Sequence, residues 1–445
     1  MNKTFFASRL TLAAVTSSLC FVATASAETY TVVRTDRLVA VPGEGAPQAA
    51  TLLIENGRIA EVRSGNVSDE TLKEEGHDIA ESFDLSGKTV LPGFIDGHVH
   101  ITSENNPQGR LQNVQMSSSD RAMLGALHAK RTIEAGFTTV RDVGGDAEAV
   151  RALKNGIDMG AVDGPRIIFT GSVGITGGHG DGSQGYIDEI ARFQNDERMC
   201  NGADDCRRAT RWVIARGSDG IKIAATGGVL SNTATGVEQQ MMDDELVAIV
   251  QAANNYGRDV TAHAHGKVGI EAALNAGVRT IEHGTYGDAE SFRLYKKKDA
   301  FLVPTILAGE TVTEWAADPD TFLTAPQKEK AATVGPQIKD MVRRAHKAGV
   351  KIAFGTDSGV SKHGDNAREF GLMVEAGMTP VEAIRAATVV GSQNIRMEDK
   401  LGTLEAGKYA DLVAFDGDPL NDISLLENGV SFVMKNGEVF KDTGR

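Results

Sequence analysis

Three times in the middle of this chain a helix-forming stretch stops on Gly and an apolar run begins at once. Glu134-Ala135-Gly136 precedes Phe137 to Val140, Asn275-Ala276-Gly277 precedes Val278 to Ile281, and Lys347-Ala348-Gly349 precedes Val350 to Phe354. A Gly just past a helix end adopts the left-handed backbone that stops the helix. A short strand entered this way runs parallel to the one before it, because the helix has carried the chain back. From about residue 91 to 400 the chain offers eight candidate strands: 89–95, 137–142, 166–170, 220–225, 259–263, 279–282, 301–305 and 350–355. Eight successive units predict an α/β fold closed as a (β/α)8 TIM barrel. A doubly wound open sheet is the structural alternative, but no phosphate-binding Gly fingerprint follows the first strand.

The chain has 445 residues, well beyond the roughly 250 of a single barrel. The surplus lies at both ends and is β in character. Tyr30 to Val33, Thr51 to Ile54 and Ile59 to Val62 alternate as strands, with Asn56-Gly57 as a hairpin turn. Asp411 to Phe415 and Val430 to Lys435, followed by Asn436-Gly437, repeat that pattern near the other end. The expected organisation is a small β-sandwich from residues 28–90 and 404–445, with the barrel over 91–403. Residues 1–27 are expected to be a cleaved signal peptide. Lys3 and Arg9 form its positive end, Leu10 to Ala23 its apolar stretch, and Ala25-Ser26-Ala27 its cleavage site. The apolar stretch is too short for a stable membrane span, so a periplasmic or secreted protein is expected.

The formal net charge is −14, which argues against nucleic acid or an anionic membrane as a partner. A small-molecule substrate is the expected partner, and a homo-oligomer stays open. Past the leader two cysteines remain, Cys200 and Cys206, flanking a turn-forming stretch. In an oxidising compartment they predict a local disulfide, with two unpaired surface thiols as the alternative.

Catalytic groups of such barrels gather at the C-terminal strand ends. Six of the ten His lie at or just past the expected strand ends: His98, His100, His179, His263, His265 and His283. The other four, His77, His128, His346 and His363, lie elsewhere. Strand side chains alternate faces, so His98 and His100 point the same way and can share a cation. A lone His-X-His motif is weak, but further groups fit the same rim. Lys222 sits inside the apolar strand Gly220-Ile221-Lys222-Ile223-Ala224, where a buried amine is costly unless neutralised, paired or modified. His263 and His283 end the fifth and sixth strands, and Asp357 follows the eighth. Each alone has an ordinary explanation, as a loop cap, a helix start or a Lys reaching the rim. Their joint placement at strand ends does not.

With these motifs the chain resembles the amidohydrolase superfamily, and within it the Xaa-Pro dipeptidase-like (prolidase-like) branch that includes ochratoxin-type N-acyl amino acid amidohydrolases. The resemblance rests on Pro92-Gly93-Phe94-Ile95-Asp96-Gly97-His98-Val99-His100, Thr176-Gly177-Gly178-His179-Gly180-Asp181 and Ile221-Lys222-Ile223. It continues through His263-Ala264-His265-Gly266, Ile281-Glu282-His283-Gly284, Gly355-Thr356-Asp357 and the late Ala406-Gly407-Lys408-Tyr409-Ala410-Asp411-Leu412-Val413. It implies two divalent metal ions, usually zinc. His98, His100 and Asp357 would hold one, His263 and His283 the other, and a CO2-derived carbamate on Lys222 would bridge them.

The activity so implied is metal-dependent hydrolysis of the amide bond in dipeptides or N-acyl amino acids, releasing a C-terminal amino acid. Asp357 would carry the proton from the activated water to the leaving nitrogen. His265 shares the face of His263 and is assigned to substrate or oxyanion contact, against a structural role. His179, in a Gly-rich loop, is a substrate-loop candidate or a surface-loop residue. Ser103 is a weaker substrate-binding candidate. Two rival classes stay open: an amidohydrolase acting on a cyclic amide, as imidazolonepropionase-like relatives do, and a non-catalytic secreted binding protein.

Overall fold

The computed structural model describes residues 29–183, 185–232 and 236–444. The leader expected over residues 1–27 lies outside them. Eight parallel strands form the centre: β1 Phe94–Val99, β2 Phe137–Asp142, β3 Arg166–Ile175, β4 Gly220–Ala224, β5 Val260–Ala264, β6 Thr280–His283, β7 Phe301–Val303 and β8 Lys351–Ile352. Each pairs with its neighbour in chain order. Helices such as Ser118–Glu134, Ala203–Ala215 and Asp243–Asn254 carry the chain back between them. Gly136, Gly277 and Gly349 all have positive φ, at 96°, 99° and 74°, so the junctions work as their sequence predicts.

The sheet curls until its first and last strands meet. Gly97 N donates to Phe354 O (2.9 Å), Asp357 N to His98 O (2.7 Å) and His100 N to Ser358 O (2.7 Å). This is a TIM-barrel-like fold, and the same hydrogen bonds set Asp357 beside His98 and His100. Aromatic packing joins the first two strands to the end of the last and to the Arg368–Glu375 helix. Phe94, Phe137, Phe354 and Phe370 meet ring to ring, with Phe354 and Phe370 centroids 4.5 Å apart.

The expected first strand, 89–95, needs correction. Lys88–Pro92 pairs antiparallel with Leu412–Asp416 and belongs to a second sheet. The central sheet starts only at Phe94, after Gly93. A Cβ on Gly93 would lie 2.3 Å from Thr138 Oγ1, so only Gly fits where the chain passes from one sheet to the other. Both segments are apolar, which is why the sequence shows one run.

The second sheet is mostly antiparallel and is built from segments at both ends of the described chain. Its order is Glu438–Asp442, Val430–Lys435, Leu412–Asp416, Lys88–Pro92, Thr29–Leu38, Gln48–Glu55 and Arg58–Ser64, with Asp78–Asp84 also on Thr29–Leu38. These strands join into one hydrogen-bonded sheet. Asn56-Gly57 and Asn436-Gly437 turn with φ of 50°, 75°, 51° and 78°, the double positive φ of a tight hairpin turn. No helix among the described residues is long and apolar enough to cross a membrane.

Candidate active site

The C-terminal strand ends surround a cavity of about 380 Å³. Every residue singled out from the sequence lines it: His98, His100, Ser103, His179, Lys222, His263, His265, His283 and Asp357. Alternation along β1 turns His98 and His100 to the same side. Their Nε2 atoms lie 3.4 and 3.2 Å from Asp357 Oδ1. On the other side the His263 and His265 ring centroids are 4.7 Å apart, and His265 stacks on His283 at 4.8 Å. His179 stacks on His263 at 4.3 Å. Gly228 permits that approach, since a Cβ there would meet the His179 ring at 2.2 Å.

The imidazoles are oriented from behind. His98 Nδ1 meets Glu282 Oε2 at 2.7 Å, His100 Nδ1 meets Gly144 O at 2.5 Å, and His283 Nδ1 meets Thr305 Oγ1 at 2.7 Å. His265 Nδ1 is 2.8 Å from Thr285 Oγ1. In each ring an outer partner on Nδ1 leaves Nε2 for the cavity. His263 is reversed: its Nε2 lies 3.3 Å from Gly227 O, which leaves Nδ1. Glu282 itself is fully buried, 2.7 Å from Arg141 Nη2 and hydrogen-bonded to Thr261. Asp96 pins the far side of the turn, accepting from Thr356 Oγ1 at 2.6 Å and Asn366 Nδ2 at 2.7 Å.

Backbone strain concentrates here. His283, Thr305 and Asp357 have φ of 70°, 54° and 58°, the left-handed region where a branched residue such as Thr305 is a rare outlier. The buried Asp357 Oδ1 has no hydrogen bond. Burial pushes the Asp357 carboxyl up, but the adjacent His98 and His100 outweigh it and hold it well below the usual carboxylate range. Burial lowers His263 and His283 far below the usual imidazole range and His265 to about 3. These rings are therefore neutral at pH 7. Burial also lowers the Lys222 amine, although Glu282 and Asp357 pull it back up.

A buried carboxylate oxygen without a hydrogen bond, set among imidazole nitrogens, is a donor set suited to a divalent cation such as zinc. Two overlapping triads have ligand atoms within 4.8 Å of one another: His98, His283 and Asp357, and His263, His265 and His283. His265 thus stands as close to the ligand cluster as its expected members do. The residues present fit a metal centre.

Glu282, Arg141, Asp96 and Thr305 carry no role that could be read from the sequence. Glu282 and Arg141 did leave a signal, as charged residues inside short strands. His363, set aside as remote, is buried just behind the site. It stacks on His128 at 4.4 Å, and its Nε2 donates to Ser103 O at 3.0 Å.

Residues 89–440 match the amidohydrolase family model. The chain belongs to the amidohydrolase family. The ochratoxinase of Aspergillus niger is 31% identical to it over 433 residues, covering 91% of this chain and 85% of that protein. A crystal structure of a Xaa-Pro dipeptidase with methionine bound in its active site superposes with a TM-score of 0.86 at 38% identity, over 93% of this chain and 100% of that one. A prolidase complexed with N-methylphosphonate-L-proline gives 0.82 at 31% identity, over 93% and 100%. These relatives match the prolidase-like branch, and the amidohydrolase is an enzyme of the amide-hydrolysing kind.

Proposed function

We propose that this amidohydrolase cleaves the amide bond of dipeptides or N-acyl amino acids and frees a C-terminal amino acid. The observation that carries the reading is the convergence of six candidate ligands on one cavity, around an Asp357 Oδ1 that no protein hydrogen bond satisfies. A prolidase neighbour complexed with N-methylphosphonate-L-proline supports the substrate class.

His98, His100 and Asp357 would hold one divalent ion and His263 with His283 a second, with carboxylated Lys222 between them. When bound, such ions supply Lewis acidity and make water a nucleophile near neutral pH. Lys222 suits carboxylation, because its lowered pKa raises the share of neutral amine that can add CO2. With His263, His283 and a carboxylated Lys222 holding it, the second ion would have three protein ligands, the usual number at a catalytic site. That leaves His265 for the substrate carbonyl oxygen. The Thr285 hydroxyl can donate to its Nδ1, which keeps a proton on Nε2 for that contact. Asp357 is ionised and takes the proton of the attacking water. It then delivers that proton to the leaving nitrogen. His179 is lowered to about 4 by burial, so it can serve as a neutral hydrogen-bonding group for substrate, with Ser103 on the same cavity. The Cys200–Cys206 disulfide, with the leader expected over residues 1–27, supports an oxidising compartment, periplasmic or external.

The test combines metal analysis with a panel of dipeptides, N-acyl amino acids and cyclic amides. Turnover of the first two classes with bound divalent metal is expected. Preference for cyclic amides would favour an imidazolonepropionase-like activity instead. Lys222→Ala should lose both metal and turnover, and full retention of each would overturn the ligand assignment.

A further inference from the structure

One wall of the catalytic cavity is not polar. Val229 follows β4, and Val360 follows Asp357. Ala308 and Val312 share a face of the Ile306–Ala317 helix, four residues apart. Val334 ends the Ala325–Val334 helix and Ile338 lies in the first turn of the Gln337–Lys347 helix. All six side chains are buried and line the cavity, and five of them belong to one apolar cluster.

Two lysines on these helices are held by neighbouring groups. Lys339 bridges Glu310 at 2.9 Å and Glu375 at 2.8 Å, and Lys330 Nζ donates to Gly228 O and Ser231 O at 3.0 and 2.8 Å. The fixed cations of the lining, Arg198 and Lys222, come from the β3 and β4 side. Helix approach is tight behind the wall, since a Cβ on Gly309 would lie 2.8 Å from Ile338 Cδ1. The wall is therefore backed by close packing, and none of its six side chains carries a charge.

We infer that the substrate carries an apolar side chain, aliphatic or aromatic, which lies against this wall, and that basic and acidic side chains are rejected there. The inference rests on the amide-hydrolase reading above. Desolvating an ammonium or carboxylate without a partner is costly. Burying a Leu-sized group is favourable enough to give about tenfold to hundredfold discrimination.

The test uses the metal-loaded full chain in two measurements. Turnover of N-acetyl-leucine, N-acetyl-phenylalanine, N-acetyl-lysine and N-acetyl-aspartate gives kcat/KM ratios. Calorimetry with free leucine, phenylalanine, lysine and aspartate gives binding without chemistry. Leucine and phenylalanine forms should lead by at least about tenfold in both. Equal turnover of the lysine form would overturn the apolar preference and leave amide hydrolysis standing. Absence of all turnover, with leucine still bound more tightly than lysine, would overturn amide hydrolysis and support the wall. Val312→Glu should raise the lysine-to-leucine ratio by at least about tenfold. Should that variant not fold, near-isosteric Val312→Thr should lower leucine binding several-fold and leave aspartate unchanged; leucine binding as tight as in the natural chain would overturn the inference.

Discussion

Replacing Glu282 by Gln removes one charge from the most enclosed ion pair of the site. Glu282 is fully buried, Arg141 is nearly so, and the His98 imidazole leans on the same carboxylate. Burial pushes the Glu282 carboxyl up, but Arg141, His98 and Lys222 together bring it from its ordinary 4.5 down to about 2. That displacement corresponds to about 3 kcal/mol of folding stability at pH 7. Breaking a buried pair by removing one partner is independently expected to cost roughly 3–5 kcal/mol. The sign follows from the lowered value. The stabilisation is present in full above about pH 4.5, falls to about 1.4 kcal/mol at pH 3, and disappears below the folded pKa. The variant has no carboxyl to protonate, so its deficit against the natural chain should narrow by about 2 kcal/mol between pH 7 and pH 3. Urea unfolding of chelator-treated protein at both pH values measures the deficit without a metal contribution. A deficit under about 1 kcal/mol at pH 7, or one that fails to narrow in acid, would refute the claim that this carboxylate is a charged keystone behind His98.

Three shorter expectations test other parts of the site and scaffold. Asp357→Asn keeps the shape of the turn and removes the base, so kcat/KM should fall by at least about a hundredfold; a rate within a few-fold of the natural chain would remove Asp357 from proton transfer. Thr305→Val keeps a branched side chain on the same strained backbone and deletes only the hydroxyl against His283 Nδ1. Metal affinity should drop about tenfold to a hundredfold in a competitive chelator titration, and unchanged affinity would show that the hydroxyl does not orient the ring. Cys200 and Cys206 are joined by a disulfide with Cα atoms 4.9 Å apart. Closing so short a loop is worth about 2 kcal/mol, so Cys200→Ser should lower the urea midpoint and make it insensitive to reductant.

The parts of this site that were legible in the sequence share one physical basis. Where the backbone stays extended, alternation tells which residues face together. It brought His98 to the side of His100 and His263 to the side of His265. The Gly that ends each helix marked where a strand begins, and hence how far along it a rim residue sits. The helical wall was not legible in this way. Ala308 and Val312 carry the spacing of ordinary core residues, and only the folded helix positions reveal that they border a cavity beside Asp357. The change of sheet at Gly93 was equally hidden, because apolar residues flank it on both sides.

Alternation also fails where the site is most strained, and the failure is informative. In an extended strand Glu282 and His283 would face opposite ways, so one of them would point away from the cavity. Instead His283 takes a φ of 70°, and this turn lets consecutive residues serve the same site. Glu282 holds His98 from within the sheet, while His283 reaches the cavity from the rim. Asp357 departs from the strand path in the same manner, at 58°. A non-Gly residue in this region costs on the order of 1–3 kcal/mol. The hydrogen bonds from Asp357 N to His98 O and from His283 Nδ1 to Thr305 hold the strained residues in place. The strain therefore falls on two of the residues expected to bind metal, and it brings their donor atoms to within 4.8 Å of His98. A strand-end position in the sequence says that a residue is near the rim; the left-handed backbone, which His and Asp adopt more readily than most residues but do not require, is what aims it.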